Sequence, residues 1–356
     1  MKKLLILAPY PTSIAPSQRF RFEQYLDLIK KNDIKYEYHS FLTLDAWKIL
    51  HQSGHFFQKG FAILSAFLKR FLLMFQLSEF DMIFIHREAS HIGPPIFEFI
   101  ITKVLKKKVI YDFDDAIWLP NYSEHNAKFN KLKMYGKVNW IIKWASVVSV
   151  GNRYLKEYAM DYNHNVIINP TTIDTENYHN PSLFKKKKNE KPIIGWTGTL
   201  TTAQYIEYLI PVFQKLEKTY DFEFRIISNE DPKFPIQSLV YKPWSKETEI
   251  QDLIQFDIGI MPLKNDIWAK GKCGFKALQY MALGIPAIVS PVGVNTEIVD
   301  DGINGFICSS QEEWYHALST FLENAFEKSM SIEARKKIEE NYSVQSNQNN
   351  FLSFFE

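Results

Sequence analysis

The sequence predicts an α/β protein built on two doubly wound parallel sheets, and three observations carry that expectation. Apolar runs of strand length recur with helical stretches between them: LLILA, MIFIH, VIYDF, SVVSV and VIINP in the first half, then PIIGW, FEFRIIS, FDIGIMP and PAIVS. The runs are continuous rather than alternating, as in strands covered on both faces. The length of 356 residues suits roughly two domains, and the βα series is interrupted once, by NYHNPSLFKKKKNEKP at residues 177–192. Its lysine run reads as a solvated connector, because no aromatic or glycine-rich pattern for nucleic acid accompanies it. The expected layout is an N-terminal domain over 1–176, a linker over 177–191, a C-terminal domain over 192–335, and a terminal helix and tail over 336–356 that pack back on the first domain.

Along the chain, the apolar run after MKK stops at Ala8 with no cleavage site beyond it, so it reads as a first buried strand and not a signal peptide. RFRFEQYLDLI reads as the first helix, with Ser17 as its cap. Phe56–Leu77 is the most hydrophobic stretch, but Lys59, Lys69 and Arg70 interrupt it well short of the ~18 uncharged residues of a membrane span. Packing into the domain is the favoured reading of it, and lying on a membrane the alternative. Apolar residues make up 46% of the chain, which excludes disorder. Two cysteines, Cys273 and Cys308, supply neither a disulfide framework nor a metal cluster, which points to the cytoplasm. Residues 1–178 hold 23 Lys/Arg against 17 Asp/Glu, leaving 19 against 23 for the remainder. A basic first half suits an anionic membrane surface or a phosphate-bearing acceptor, and equally a solvated face.

Open α/β sheets bind ligands beyond the carboxyl ends of their strands, so the loops there hold the candidates, around a cleft if two such sheets face each other. The strongest signal is AKGKCGFKALQYMALGIPAIVSPVGVNTEIVDDGINGF, residues 269–306, read as loop, helix, glycine stop, buried strand and turn. Lys270, Lys272 and Lys276 crowd the start of that helix, where cations oppose the helix dipole unless an anion binds. A nucleotide diphosphate would resolve the conflict, with backbone N–H groups around Gly274 donating to phosphate oxygens and Gln279 reaching a ribose hydroxyl. An exposed basic turn is the alternative.

This segment resembles the donor-binding signature of family 4 glycosyltransferases, retaining enzymes of the two-domain GT-B fold. The resemblance implies two Rossmann-like domains facing a cleft, with a nucleotide-diphosphate sugar on the C-terminal domain and a saccharide or lipid-linked acceptor on the N-terminal one. It implies a metal-independent enzyme that binds its donor as substrate and keeps no permanent cofactor, acting in cell-surface polysaccharide or glycolipid synthesis from the cytoplasm or the membrane periphery. Two glutamates that the family usually carries are replaced here by Gly271 and Gln279, which keeps a catalytically silent nucleotide-sugar binder as an alternative. A second loop, GWTGTLTTAQY, carries Gly198 and Thr199; in the family it covers the donor phosphates and is followed by basic residues. Here no basic residue occurs between Lys191 and Lys215, so the three lysines are expected to supply the charge. VYKPWSKETEIQDLIQFDIGIMPL resembles the base-binding stretch, which places Trp244 beside the base.

On the acceptor side, Arg19 and Arg21 follow a Pro/Ser-rich loop and suit a phosphate or carboxylate clamp, and His86 ends a strand. VIYDFDDAIW brings Asp112, Asp114 and Asp115 together. Asp112 and Asp114 allow a metal-holding DxD, as in single-domain glycosyltransferases. The preferred reading sets Asp114 where the family often has a histidine near the reacting centre, with Lys272 and Lys276 on the diphosphate.

Overall fold

The computed structural model describes residues 2–50, 54–120, 132–324 and 328–356. The chain divides into two compact units, Met1–Thr171 with Gln348–Glu356, and Thr172–Asn347.

In the first unit β1 (Lys2–Ala8), β2 (Ile34–Ser40), β3 (Met82–His86), β4 (Lys108–Phe113), β5 (Val147–Val150) and β6 (Val166–Ile168) form one parallel sheet in the order β2-β1-β3-β4-β5-β6. The β1 segment from Leu4 and all of β3 are buried, as continuous apolar strands between two helical layers should be. Strand order reverses between β1 and β3, so their carboxyl ends flank the switch point. Register pairs His86 with Asp112 and Asp112 with Ser149, which puts three polar side chains in one row across β3, β4 and β5.

The first helical turn spans Pro16–Arg19, with Ala15 in the cap position and Pro16 opening the helix, so Ser17 lies inside it rather than capping it. The long helix α1 (Phe56–Met74) buries Ala66, Arg70, Leu73 and Met74 but leaves much of its apolar surface exposed. The core reading of this stretch therefore holds for one face only. Two further helices lie beside it in series, α2 (Ile96–Phe99), continued by a π turn over Ile100–Val104, and α3 (Lys137–Trp144). The tail closes the unit: Phe351 stacks on Tyr25 at 4.2 Å, and Phe354 and Phe355 are buried.

In the second unit β7 (Ile193–Gly198), β8 (Glu223–Ser228), β9 (Leu239–Pro243), β10 (Ile258–Met261), β11 (Ala287–Val289) and β12 (Gly305–Ile307) are ordered β12-β11-β10-β7-β8-β9, all parallel. The switch point lies between β7 and β10. After β7 comes α4 (Leu200–Glu207), and after β10 comes α5 (Phe275–Ala282). A Cβ on Gly259 would stand 2.1 Å from the Tyr280 ring, so only glycine lets α5 press this close to the sheet. The Tyr280 hydroxyl then accepts a hydrogen bond from the Thr197 N–H at 3.0 Å, which pins the end of β7 to α5. Against α5 packs α6 (Lys328–Asn341), whose Arg335 donates to the carbonyls of Thr175 and His179 at 3.1 Å each.

Candidate active site

At the switch point of the second sheet the two glycine-bearing loops come together. Gly198 ends β7, and a Cβ there would lie 2.6 Å from the Trp196 ring and 2.8 Å from Thr202 Oγ1, so the loop turns tightly against its own strand. Thr199 starts α4, with its N–H donating to Thr202 Oγ1 at 3.2 Å. Lys276, in the first turn of α5, lies with Nζ 5.4 Å from the centre of the buried Trp196 ring. The tryptophan thus links the Gly198 loop to the lysine that the sequence singles out. Gly274 caps α5 with φ of +69°, a left-handed conformation, and a Cβ there would meet Ile298 at 2.1 Å. Lys272 precedes the helix, half-buried, with Nζ 5.9 Å from the Trp268 ring centre. Its neighbour Lys270 is held by backbone packing, since a Cβ on Gly293 would approach the Lys270 carbonyl to 2.9 Å. Lys270 thus ends a short helix (Ile267–Lys270), Lys272 sits in the loop that follows and Lys276 in the first turn of α5, each beside an aromatic ring or a glycine contact.

Gln279 is where the sequence reading needs adjustment. Its side chain is buried, with Nε2 3.4 Å from His179 Nε2, instead of standing open to a ribose. Trp244 is partly exposed just beyond β9, and its indole N–H donates to Glu249 Oε1 at 3.3 Å. Glu249 Oε2 accepts from the Tyr178 hydroxyl at 2.8 Å, and Tyr178 sits edge-on to His179. Sequence reasoning missed this chain from Trp244 to Gln279 because its members are up to 100 residues apart, and only the partly buried tryptophan gave a local signal.

The first unit has a different character. Asp112 is fully buried; it pairs with Arg21, accepts from Ser149 Oγ at 2.6 Å, and lies 2.8 Å from His86 Nδ1. Arg21 also donates to the Asn169 carbonyl. Burial alone would raise the Asp112 carboxyl, but Arg21 and then His86 outweigh it and hold the group well below the usual carboxylate range. Arg21 and His86 are therefore interior residues. The clamp expected at Arg21 has closed on the protein's own carboxylate, because the register row puts a desolvated anion beneath the helix start. Arg19 is mostly buried, its guanidinium 4.9 Å from the Phe20 ring centre.

Asp114 and Asp115 meet Arg87, whose φ is +58°. Arg87 Nε and Nη2 donate to Asp114 Oδ1 at 2.9 and 2.7 Å, and Nη2 also donates to Asp115 Oδ2 at 2.8 Å. Asp112 and Asp114 thus serve separate basic partners, which speaks against a shared metal between them. Among the described residues no group of three or more His, Cys, Asp or Glu could hold a metal ion. Beside Arg87, Glu88 pairs with Lys137 at 2.8 Å, and Lys137 also donates to the Ser90 carbonyl at 2.7 Å. His91 lies between Tyr10 and Phe41, with both ring centres 5.3 Å away. Burial, opposed by Glu88, lowers the His91 pKa to about 4, so it stays neutral near pH 7. Gln18 shapes the loop that presents Tyr10, accepting from its N–H at 3.0 Å and donating to its carbonyl at 3.1 Å. Tyr10, Arg87, Glu88 and His91 thus gather where β1, β3 and β4 end, whereas His86, the candidate the sequence offers here, is buried.

The C-terminal sheet carries a recognisable family pattern. A family profile described as "Glycosyl transferases group 1" matches residues 191–324. This segment is a group 1 glycosyltransferase domain. Among curated proteins none matches the sequence. Solved structures resemble the whole architecture at low identity. A glycosyltransferase from Rickettsia africae superposes with a TM-score of 0.66 at 14% identity, over 100% of this chain and 99% of that one. Sucrose-phosphate synthase from Thermosynechococcus elongatus gives 0.71 at 11%, over 100% and 98%. Anabaena HepE in complex with UDP gives 0.64 at 13%, over 100% of both. The two doubly wound units make the GT-B fold. The chain is thus a glycosyl-transferring enzyme. No helix among the described residues is long and apolar enough to cross a membrane.

Proposed function

We propose that the chain moves a sugar from a nucleotide-diphosphate sugar to a saccharide or lipid-linked acceptor, with retention in the manner of family 4, in the synthesis of a cell-surface polysaccharide or glycolipid. The observation that carries the reading is the meeting of the Gly198–Thr199 loop with Lys276 over Trp196 at the switch point of the second sheet. The Gly274 end of α5, with Lys270, Lys272 and Lys276 around it, suits a diphosphate, and Trp244 suits the base. The similar fold of Anabaena HepE in complex with UDP-glucose supports a uridine donor.

In the transfer, the bond between the anomeric carbon and the β-phosphate oxygen breaks, and a bond to the acceptor oxygen forms. Lys272 and Lys276 offset the charge that develops on the departing diphosphate. The acceptor proton is assigned to that diphosphate, because Asp114 Oδ1 already accepts two hydrogen bonds from Arg87. Asp114 then serves to orient Arg87, and the Tyr10, Arg87 and His91 cluster, in place of the Arg19, Arg21 and His86 set, is assigned to the acceptor. A silent nucleotide-sugar binder is the second reading, favoured by Gly271 and by the buried Gln279.

The test is slow donor hydrolysis over a panel of UDP-, GDP- and ADP-sugars, with and without EDTA, alongside binding. Hydrolysis of one donor that survives EDTA is expected. Loss of activity with the chelator would return the reaction to a metal, and tight binding without turnover in the presence of acceptor glycans would favour the silent binder.

A further inference from the structure

We propose that α1, together with α2 and α3, seats the chain on an anionic lipid bilayer. The inference rests on the surface of the first unit and is independent of the transferase reading. Phe57, Phe61, Leu64, Leu68 and Phe71 along α1, with Phe75 at its C-cap, recur at spacings of four, three, four, three and four residues, which is one stripe of a helix. Each is at least half exposed, from 50% for Phe71 to 96% for Phe57. The opposite face anchors the helix. Ala66 belongs to a buried cluster with Phe41, Leu42 and Ala46, against which Ala62, Ile63 and Phe67 pack, and Arg70 Nε donates to the Ala89 carbonyl at 3.1 Å. A surface helix with one packed face is expected to turn a polar face outward, and this one turns out phenylalanine and leucine.

The apolar surface continues sideways through ring contacts: Phe67 to Phe97 at 5.8 Å, Phe99 to Trp144 at 5.5 Å, and Trp144 to Trp140 at 5.8 Å. Ile96, Phe99, Val104, Leu105 and Trp140 are exposed along it. Charge decides what it meets. Residues 54–78, 96–108 and 132–146 contain a single acidic side chain, Glu98, and it is buried. Lys69, Lys103, Lys106 and Lys143 are exposed beside the rings. A second copy meeting this face by a two-fold axis would oppose lysines to lysines, whereas an anionic headgroup layer would pair with them while tryptophan and phenylalanine enter the acyl boundary. The basic residues within α1 fit a helix lying in the plane of the interface.

The test is flotation of the full chain with vesicles of phosphatidylcholine alone or with about one third phosphatidylglycerol. Binding about 10-fold stronger to the anionic vesicles, weakening as salt rises, is expected. Phe57→Ser/Phe61→Ser/Leu64→Ser is expected to lower it about 10-fold or more with an unchanged melting temperature, since these side chains already face solvent. Lys69→Gln/Lys103→Gln/Lys143→Gln should remove the preference for anionic lipid while leaving the fold intact. The proposal is overturned if anionic vesicles do not bind, if the serine variant floats as well as the parent, or if light scattering finds a dimer that the serine substitutions dissolve.

Discussion

At the carboxyl edge of the first sheet Asp112 is enclosed by Arg21, Ser149 and His86, and Arg87 grips Asp114 and Asp115, whereas at the edge of the second Lys276 lies over Trp196 and Lys272 over Trp268. Both edges occupy the place where open sheets bind ligands. The first uses much of its charge to hold strand ends and loops in place, while the second sets cations on aromatic rings at a helix start. A desolvated carboxylate with matched donors is architecture; lysines gathered at a helix N-terminus oppose its dipole until an anion arrives. Stability should therefore be sensitive at the first edge and turnover at the second.

The largest effect is expected at the buried pair. Asp112→Ala leaves Arg21 buried without its carboxylate and should cost about 3–5 kcal/mol in urea denaturation; a loss below about 1 kcal/mol would erase the contrast between the edges. Lys276→Ala should instead lower turnover ~100-fold while the denaturation midpoint stays close to that of the parent. Gly274→Ala sharpens the point from the backbone side. Its left-handed φ and the Ile298 contact predict a loss of about 2 kcal/mol, measured by the same denaturation.

The smallest effect is a pH dependence in the first unit. His91 has a pKa lowered to about 4 by burial, below its ordinary 6.5. A depressed value means that the unfolded chain takes up the proton first. The stabilisation is nearly complete at pH 7 and declines as pH falls toward 4, by a little less than ~2 kcal/mol between pH 7 and 5. Chemical denaturation at the two pH values, with His91→Gln as the control that flattens the difference, checks it.

How much of this was legible in the sequence depends on position in the sheet. Central strands such as MIFIH and VIYDF are apolar throughout because both faces are covered, and they stand out. The strands without such runs are β2, β9 and β12, all at sheet edges. IKYEYHS alternates with solvent and LVYKP is mostly half-buried, so neither shows a continuous apolar signal. The lysine loop was legible because its charge and glycines are local in sequence. Arg21 was misread because its partner Asp112 is 91 residues away and only strand register brings them together. Tyr10, Arg87 and His91 belong to the same class, since each looks ordinary until the sheet order places the ends of β1, β3 and β4 side by side.

The most direct test of the division between the edges is calorimetric titration of UDP, with GDP and ADP as alternatives, into the parent and into Lys272→Ala, Lys276→Ala and Arg87→Ala. Each lysine variant is expected to weaken the preferred nucleotide by about 10-fold or more, with Arg87→Ala within about threefold of the parent. Full affinity in both lysine variants, with the loss falling on Arg87→Ala, would contradict the assignment of the donor to the second unit.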